Sequence, residues 1–239
     1  MDFLEAIKQE LQAEVIPAKA KFFPKFFQAL PGGYGEGDQF LGVTVPSQRK
    51  VAKKYWGKIS LQDTEKLLRE HIHEYRLTAL FILVYKYEQL KTEAEKKELV
   101  EVYLRNLAYV NNWDLVDASA DKILGRYLFE YNKEKNILYD FARSADLWLN
   151  RVAIIATFYF IRQHHFVDTL DIAKILLKHQ HDLIHKAVGW MLREVGKRDF
   201  QVEYDFLVEH YQDMPRTMLR YAIEKFEPEL RKKFLQGLL

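Results

Sequence analysis

The chain has no cysteine. That excludes a disulfide framework, a thiolate-held metal and a cysteine nucleophile. Hydrophobic runs long enough to span a bilayer are missing too. The longest apolar stretch, residues 152–161, is closed by Arg151 and Arg162 and is far shorter than the roughly 20 residues a spanning helix needs. The N-terminal stretch MDFLEAIKQELQAEV reads as an amphipathic helix of mixed charge, not as a secretion signal, and an intracellular, cytoplasmic protein is expected. There is little excess charge: the net value is +2 over 239 residues. A nucleic-acid binder of this composition has to gather its cations on one face. No Asn-Gly or Asp-Gly hairpin turn occurs, nor any nucleophile elbow or Ser–His–Asp motif.

What is present is apolar and aromatic. Hydrophobic residues make up 49% of the chain and aromatics 14%, ample for a core and above the usual aromatic share. From Leu61 onward apolar residues recur at helical spacing, as in Leu67, Leu68, Ile72, Tyr75, Ala79, Ile82 and Leu83. The β-branched segment 152–161 could pass for a strand. It is read as helix because Trp148, Val152, Ile155, Tyr159 and Arg162 fall on one helical face.

Five short stretches resemble one another: RLTAL from Arg76, DLVDA from Asp114, RVAII from Arg151, KAVGW from Lys186 and RYAIE from Arg220. Each opens with a charged residue, and their starts lie 38, 37, 35 and 34 residues apart. That period suits a helix pair with its turns, repeated as a solenoid. The expected organisation is a single domain over 1–239: N-terminal helices, a glycine-rich loop at 31–38, then tandem helix pairs. The loop holds four of the ten glycines and lacks the ending of a phosphate-binding loop. It reads as a connection, with contact to substrate as the alternative. Pro46 marks the start of the next helix.

Stacked repeats would bring Trp113, Asp117, Arg151 and Trp190 to one surface. Trp113 and Asp117 stand one helical turn apart, with Asp114 and Asp121 along the same stripe. Arg151 offers a planar fork of donors suited to a phosphate oxygen. Trp190, Arg193 and Lys197 share a face, with Lys186 one turn before Trp190, and an indole among cations suits a sugar–phosphate backbone. Each group also has a plainer reading: packed tryptophans, capping aspartates, solvated basic edges. His181 and His185 have the i, i+4 spacing of zinc ligands, but no third ligand follows, so no metal is expected.

The residues WDLVD (113–117), LWxxRxAI (147–154), KAVGWxLRE (186–194) and LGVTVP (41–46) resemble the AlkD-type DNA alkylation-repair glycosylases. The resemblance covers most of the chain. It implies an all-α, right-handed superhelical solenoid of HEAT-like helical repeats. It also implies hydrolysis of the N-glycosidic bond of cationic N3- and N7-alkylpurines in duplex DNA. By motif, Asp117 matches the catalytic carboxylate, Trp113 and Trp190 the aromatic contacts to deoxyribose, and Arg151 a backbone contact; Arg193, Lys197 and Lys186, read above from the residues around Trp190, are expected as further DNA-binding cations. The resemblance implies a protein that grips the backbone on a concave basic face and leaves the base stacked. No cofactor is called for, and a monomer is expected. Two alternatives stay open: a non-catalytic binder of damaged or branched DNA on the same scaffold, and a protein-interaction scaffold.

Overall fold

The computed structural model describes residues 2–239, which form helices joined by short turns; among them there is no strand, only one isolated bridge between Gln39 and Ile72. The chain divides into two compact units, the first running to Tyr127 and the second Leu128–Leu239.

The first unit contains α1 (Phe3–Ala13), α2 (Pro17–Phe26), α3 (Val45–Tyr55), α4 (Leu61–Leu68), α5 (His73–Gln89), α6 (Glu93–Arg105) and α7 (Trp113–Ser119). A π-helical turn (Asp121–Gly125) follows, and then the short α8 (Arg126–Glu130), within which the division falls. Local chemistry sets the starts. Ser60 accepts from the Asp63 N–H to begin α4, and Thr92 and Glu95 form a reciprocal capping box on α6. Pro46 lies in the first turn of α3, as the sequence indicates. α5 is the core of this unit: it is buried on nearly every side and packs against α3, α4 and α7.

The LGVTVP run acquires a physical reason here. Buried Glu74 on α5 accepts from the backbone N–H groups of Leu41, Gly42 and Val43 at 2.7–3.1 Å. Gly42 has φ +90°, and a Cβ there would lie 2.4 Å from the Ala20 nitrogen, so only glycine fits against the first turn of α2.

The second unit contains α9 (Asn136–Arg143), α10 (Leu147–Ala156), α11 (Phe158–Arg162), α12 (Val167–Leu176), α13 (Asp182–Gly196), α14 (Phe200–His210), α15 (Arg216–Ala222) and α16 (Pro228–Gln236). Residues 152–161 are helical, with a break at Thr157. α10 packs on α9 and α13, and α13 on α15. A Cβ at Gly189 would meet the Met218 carbonyl at 2.4 Å, so the glycine of the KAVGW stretch lets α13 and α15 approach closely. Every one of the five repeated stretches lies within helix, on α5, α7, α10, α13 and α15 with the 3-10 turn that continues it. The chain is an all-α helical-repeat protein.

Candidate nucleic-acid interface

Trp113 is the first residue of α7, where buried Asn112 caps it by accepting from the Trp113 N–H at 2.9 Å. The half-buried indole stacks on Phe27 (centroids 5.5 Å, planes 24° apart) and meets Phe26 edge-on at 6.0 Å. Asp117 follows one turn later, also half-buried. The stripe of three aspartates expected along this helix is broken up. Asp114 turns to His73 at 2.8 Å. Asp121 begins the π-helical turn, is fully buried and pairs with Lys122 at 2.9 Å.

Next to this lies a surface the sequence pattern did not single out. α2 carries Lys19, Lys21 and Lys25, no acidic residue, and two half-exposed rings, Phe22 and Phe26. Phe26 joins it to Trp113.

Beneath α7 sits a closed set of buried charges, also unforeseen. The His73 ring faces Asp38 through Nδ1 (2.7 Å) and Asp114 through Nε2 (2.8 Å). Burial alone would lower the pKa of this imidazole; the two carboxylates overcome it and hold the pKa at about 9. Phe27 and Phe40, stacked on each other, each lie 4.8 Å from the ring. Arg76, one turn on, donates to Asp38 (2.5 Å), to Asn111 Oδ1 (2.5 Å) and to the Tyr109 carbonyl (3.1 Å). The signal available in the sequence was that Arg76 heads the first repeated stretch as Arg151 heads the third.

In the second unit Arg151 is only 5% exposed and donates to the Leu183 carbonyl at 2.6 Å. Three histidines lie at the start of α13. His179 bonds Asn150 Oδ1 through Nε2 and accepts from the His181 N–H through Nδ1. His181 caps the helix by accepting from the Leu183 N–H, and His185 reaches the His179 carbonyl. Burial, their mutual repulsion and, for His181, the Arg151 charge push the pKa of His179 and His181 down. Among the described residues no cluster could hold a metal ion.

Trp190 is half-buried against Phe158, 5.7 Å away. Its cationic neighbours are paired: Lys186 with Asp182 (2.7 Å), Lys197 with Glu194 (2.6 Å), Arg193 with Glu224. Glu203, 2% exposed, has one carboxyl oxygen without a partner, and burial raises its pKa to about 9 despite Arg193. No helix among the described residues is long and apolar enough to cross a membrane.

Three solved structures share this fold. A protein described as a predicted DNA alkylation repair enzyme from Enterococcus faecalis is 19% identical over 90% of this chain and 98% of its own, with a TM-score of 0.71. AlkD2 from Streptococcus mutans is 15% identical over 87% of this chain and 97% of its own, with a TM-score of 0.55. A further Streptococcus mutans protein, smu.31, is 15% identical over 76% and 92%, with a TM-score of 0.54. No curated protein sequence matches. The model of the DNA alkylation repair enzyme family matches residues 7–226, and the chain belongs to that family.

Proposed function

We propose that this protein is a DNA glycosylase, acting as a cytoplasmic monomer, that cleaves the bond between deoxyribose C1′ and a cationic N3- or N7-alkylpurine in duplex DNA. The observation that carries this reading is the pairing of Trp113 with Asp117, one turn apart on α7 and both half-buried, in a chain of the DNA alkylation repair family. A cationic purine is already a good leaving group. As the glycosidic bond breaks, its electron pair neutralises the base and positive charge passes to the sugar. The Asp117 carboxylate stabilises that charge and orients the water that adds to C1′. The electron-rich indole face of Trp113 favours the cationic sugar, and Trp190 offers an indole face of the same kind on the second unit. Arg151, Lys186, Arg193 and Lys197 take backbone phosphates, each exchanging a carbonyl or carboxylate partner within the protein for a phosphate oxygen. The lysines and exposed rings of α2 extend the surface beside Trp113.

The test is release of 7-methylguanine and 3-methyladenine from methylated duplex DNA by wild type and by Asp117→Asn. Wild type should release base. The variant should bind the same DNA and release it about 10²–10³-fold more slowly, the scale of losing one electrostatic stabiliser. Equal release by the variant would remove Asp117 from the chemistry. No release by a folded wild type that still binds nicked or branched DNA would leave the non-catalytic reading in its place.

A further inference from the structure

The glycine-rich segment 31–38 and the buried histidine beneath α7 have no part in the chemistry above, yet they meet. Asp38 ends the segment and places its two carboxylate oxygens on His73 and Arg76. On the far side of the ring, Asp114 takes Nε2 with one oxygen, and its other oxygen accepts from the Leu115 N–H at 2.9 Å. Both ring nitrogens therefore face carboxylates. The arrangement is satisfied when the imidazole carries two protons and donates both. Two carboxylates, one imidazolium and one guanidinium then sum to zero charge. The set is buried: side-chain exposures are 2% for His73, 5% for Asp38, 6% for Arg76 and 13% for Asp114.

We propose that His73 is a positioning residue: locked between Asp38 and Asp114, it fixes the first turn of α7 and so places Trp113 and Asp117 for base release, with the glycine-rich segment acting on the site through Asp38. This rests on the glycosylase reading given above. Two paths run from the ring to the site. One is the charged bond to Asp114, which directly follows Trp113 and precedes Asp117 by three residues. The other is aromatic: His73 faces Phe27, and Phe27 stacks on Trp113. Arg76 adds a third hold on the approach to α7, binding Tyr109 and Asn111. Apolar packing could hold α5 against α7 at less desolvation cost. Charged hydrogen bonds also fix an angle, and a small misplacement of reacting groups can cost as much as 10²-fold in rate. The groups facing the ring are Asp38 from the loop and Asp114 from α7, with Arg76 on its own helix compensating Asp38.

The experiment measures single-turnover base release at saturating DNA from pH 7 to 10, for wild type, Asp38→Asn and Asp114→Asn, each checked for folding by circular dichroism. Histidine-labelled full-length protein is observed by NMR alongside. Asp114→Asn should slow release about tenfold or more while DNA affinity changes less than about twofold, since the bond acts on placement. Wild-type release should decline as pH rises through about 9, where the ring loses its proton, and the variant should lack that limb. The spectrum should show one imidazolium with both ring N–H protons at pH 7.5, absent in His73→Gln. A folded Asp114→Asn with the wild-type rate, or a ring neutral at pH 7.5, overturns the proposal. If wild type releases no base, the glycosylase reading falls by itself. The strut is then judged on whether Asp114→Asn shifts the Trp113 indole N–H resonance in the folded protein, and an unmoved indole overturns it.

Discussion

Two sets of groups, one in each unit, handle ionisable charge in opposite ways. In the first, charge meets charge: Asp38, His73, Arg76 and Asp114 form a neutral set, and Glu74 is held by three backbone N–H groups. In the second, burial pushes groups toward their uncharged forms. His179 and His181 have lowered pKa values, and Glu203 is raised to about 9. Arg76 and Arg151 head equivalent repeats, are equally buried, and each donates to a backbone carbonyl about one repeat later, that of Tyr109 or Leu183. Their settings differ. A carboxylate faces Arg76, whereas Arg151 lies close enough to His181 to depress its pKa. One repeat position thus serves a neutralised clip in one unit and, in the proposed function, a phosphate-binding cation in the other.

The comparison breaks most sharply at Arg76. Arg76→Ala takes from buried Asp38 its guanidinium partner, and losing one partner of a buried ion pair costs about 3–5 kcal/mol. Denaturant unfolding should show that loss. A change below about 1 kcal/mol would mean the set is not closed in solution. Glu203→Gln tests the other unit. A carboxyl whose pKa is raised on folding binds more protons folded than unfolded, so its contribution to stability is present below its unfolded pKa and is lost as pH rises through about 9. Wild-type stability should fall between about pH 4.5 and 9 by a component that the variant lacks. At pH 7 the variant should be the more stable, by on the order of 1–3 kcal/mol. A variant with the same pH slope would place the proton elsewhere.

Arg151→Ala sharpens the contrast between the two arginines. If Arg151 takes a phosphate, DNA affinity should drop and the slope of log affinity against log salt should shrink by about one. Stability should fall by about 1–3 kcal/mol, because the Leu183 carbonyl loses its donor. An unchanged salt slope would make Arg151 a clip like Arg76.

The repeat period and helical spacing made the fold legible, because a solenoid writes its geometry into the sequence at a fixed interval. They placed all five stretches in helix, and they placed 152–161 there against its β-branched composition. Trp113 and Asp117 were legible as an i, i+4 pair. The aspartate stripe was misread because Asp114 turns to buried His73 and Asp121 is buried against Lys122, and helical spacing alone does not announce either partner. Asp38 and His73 were missed for another reason. They are distant in sequence, and only the return of the glycine-rich segment over α5 brings them together. Residues joined by a loop of no fixed period leave no spacing to read.

The smallest effect expected, and the finest test of the second unit, is at His181. Its Nδ1 caps α13 by accepting from the Leu183 N–H, which the ring can do only while that nitrogen is unprotonated. Burial is the largest cause of its lowered pKa, with His185 and Arg151 adding to it and Asp182 opposing. The folded protein therefore resists a proton that the unfolded chain accepts below about 6.5, so stability falls as pH drops below that value. Protonation would also release the residue whose carbonyl holds Arg151. His181→Asn supplies a side-chain oxygen that caps equally well and does not titrate in this range. Its melting temperature should match wild type at pH 7.5 and exceed it at pH 5.5. The same acid loss in both proteins would shift the titration to His179, whose Nδ1 accepts from the His181 N–H.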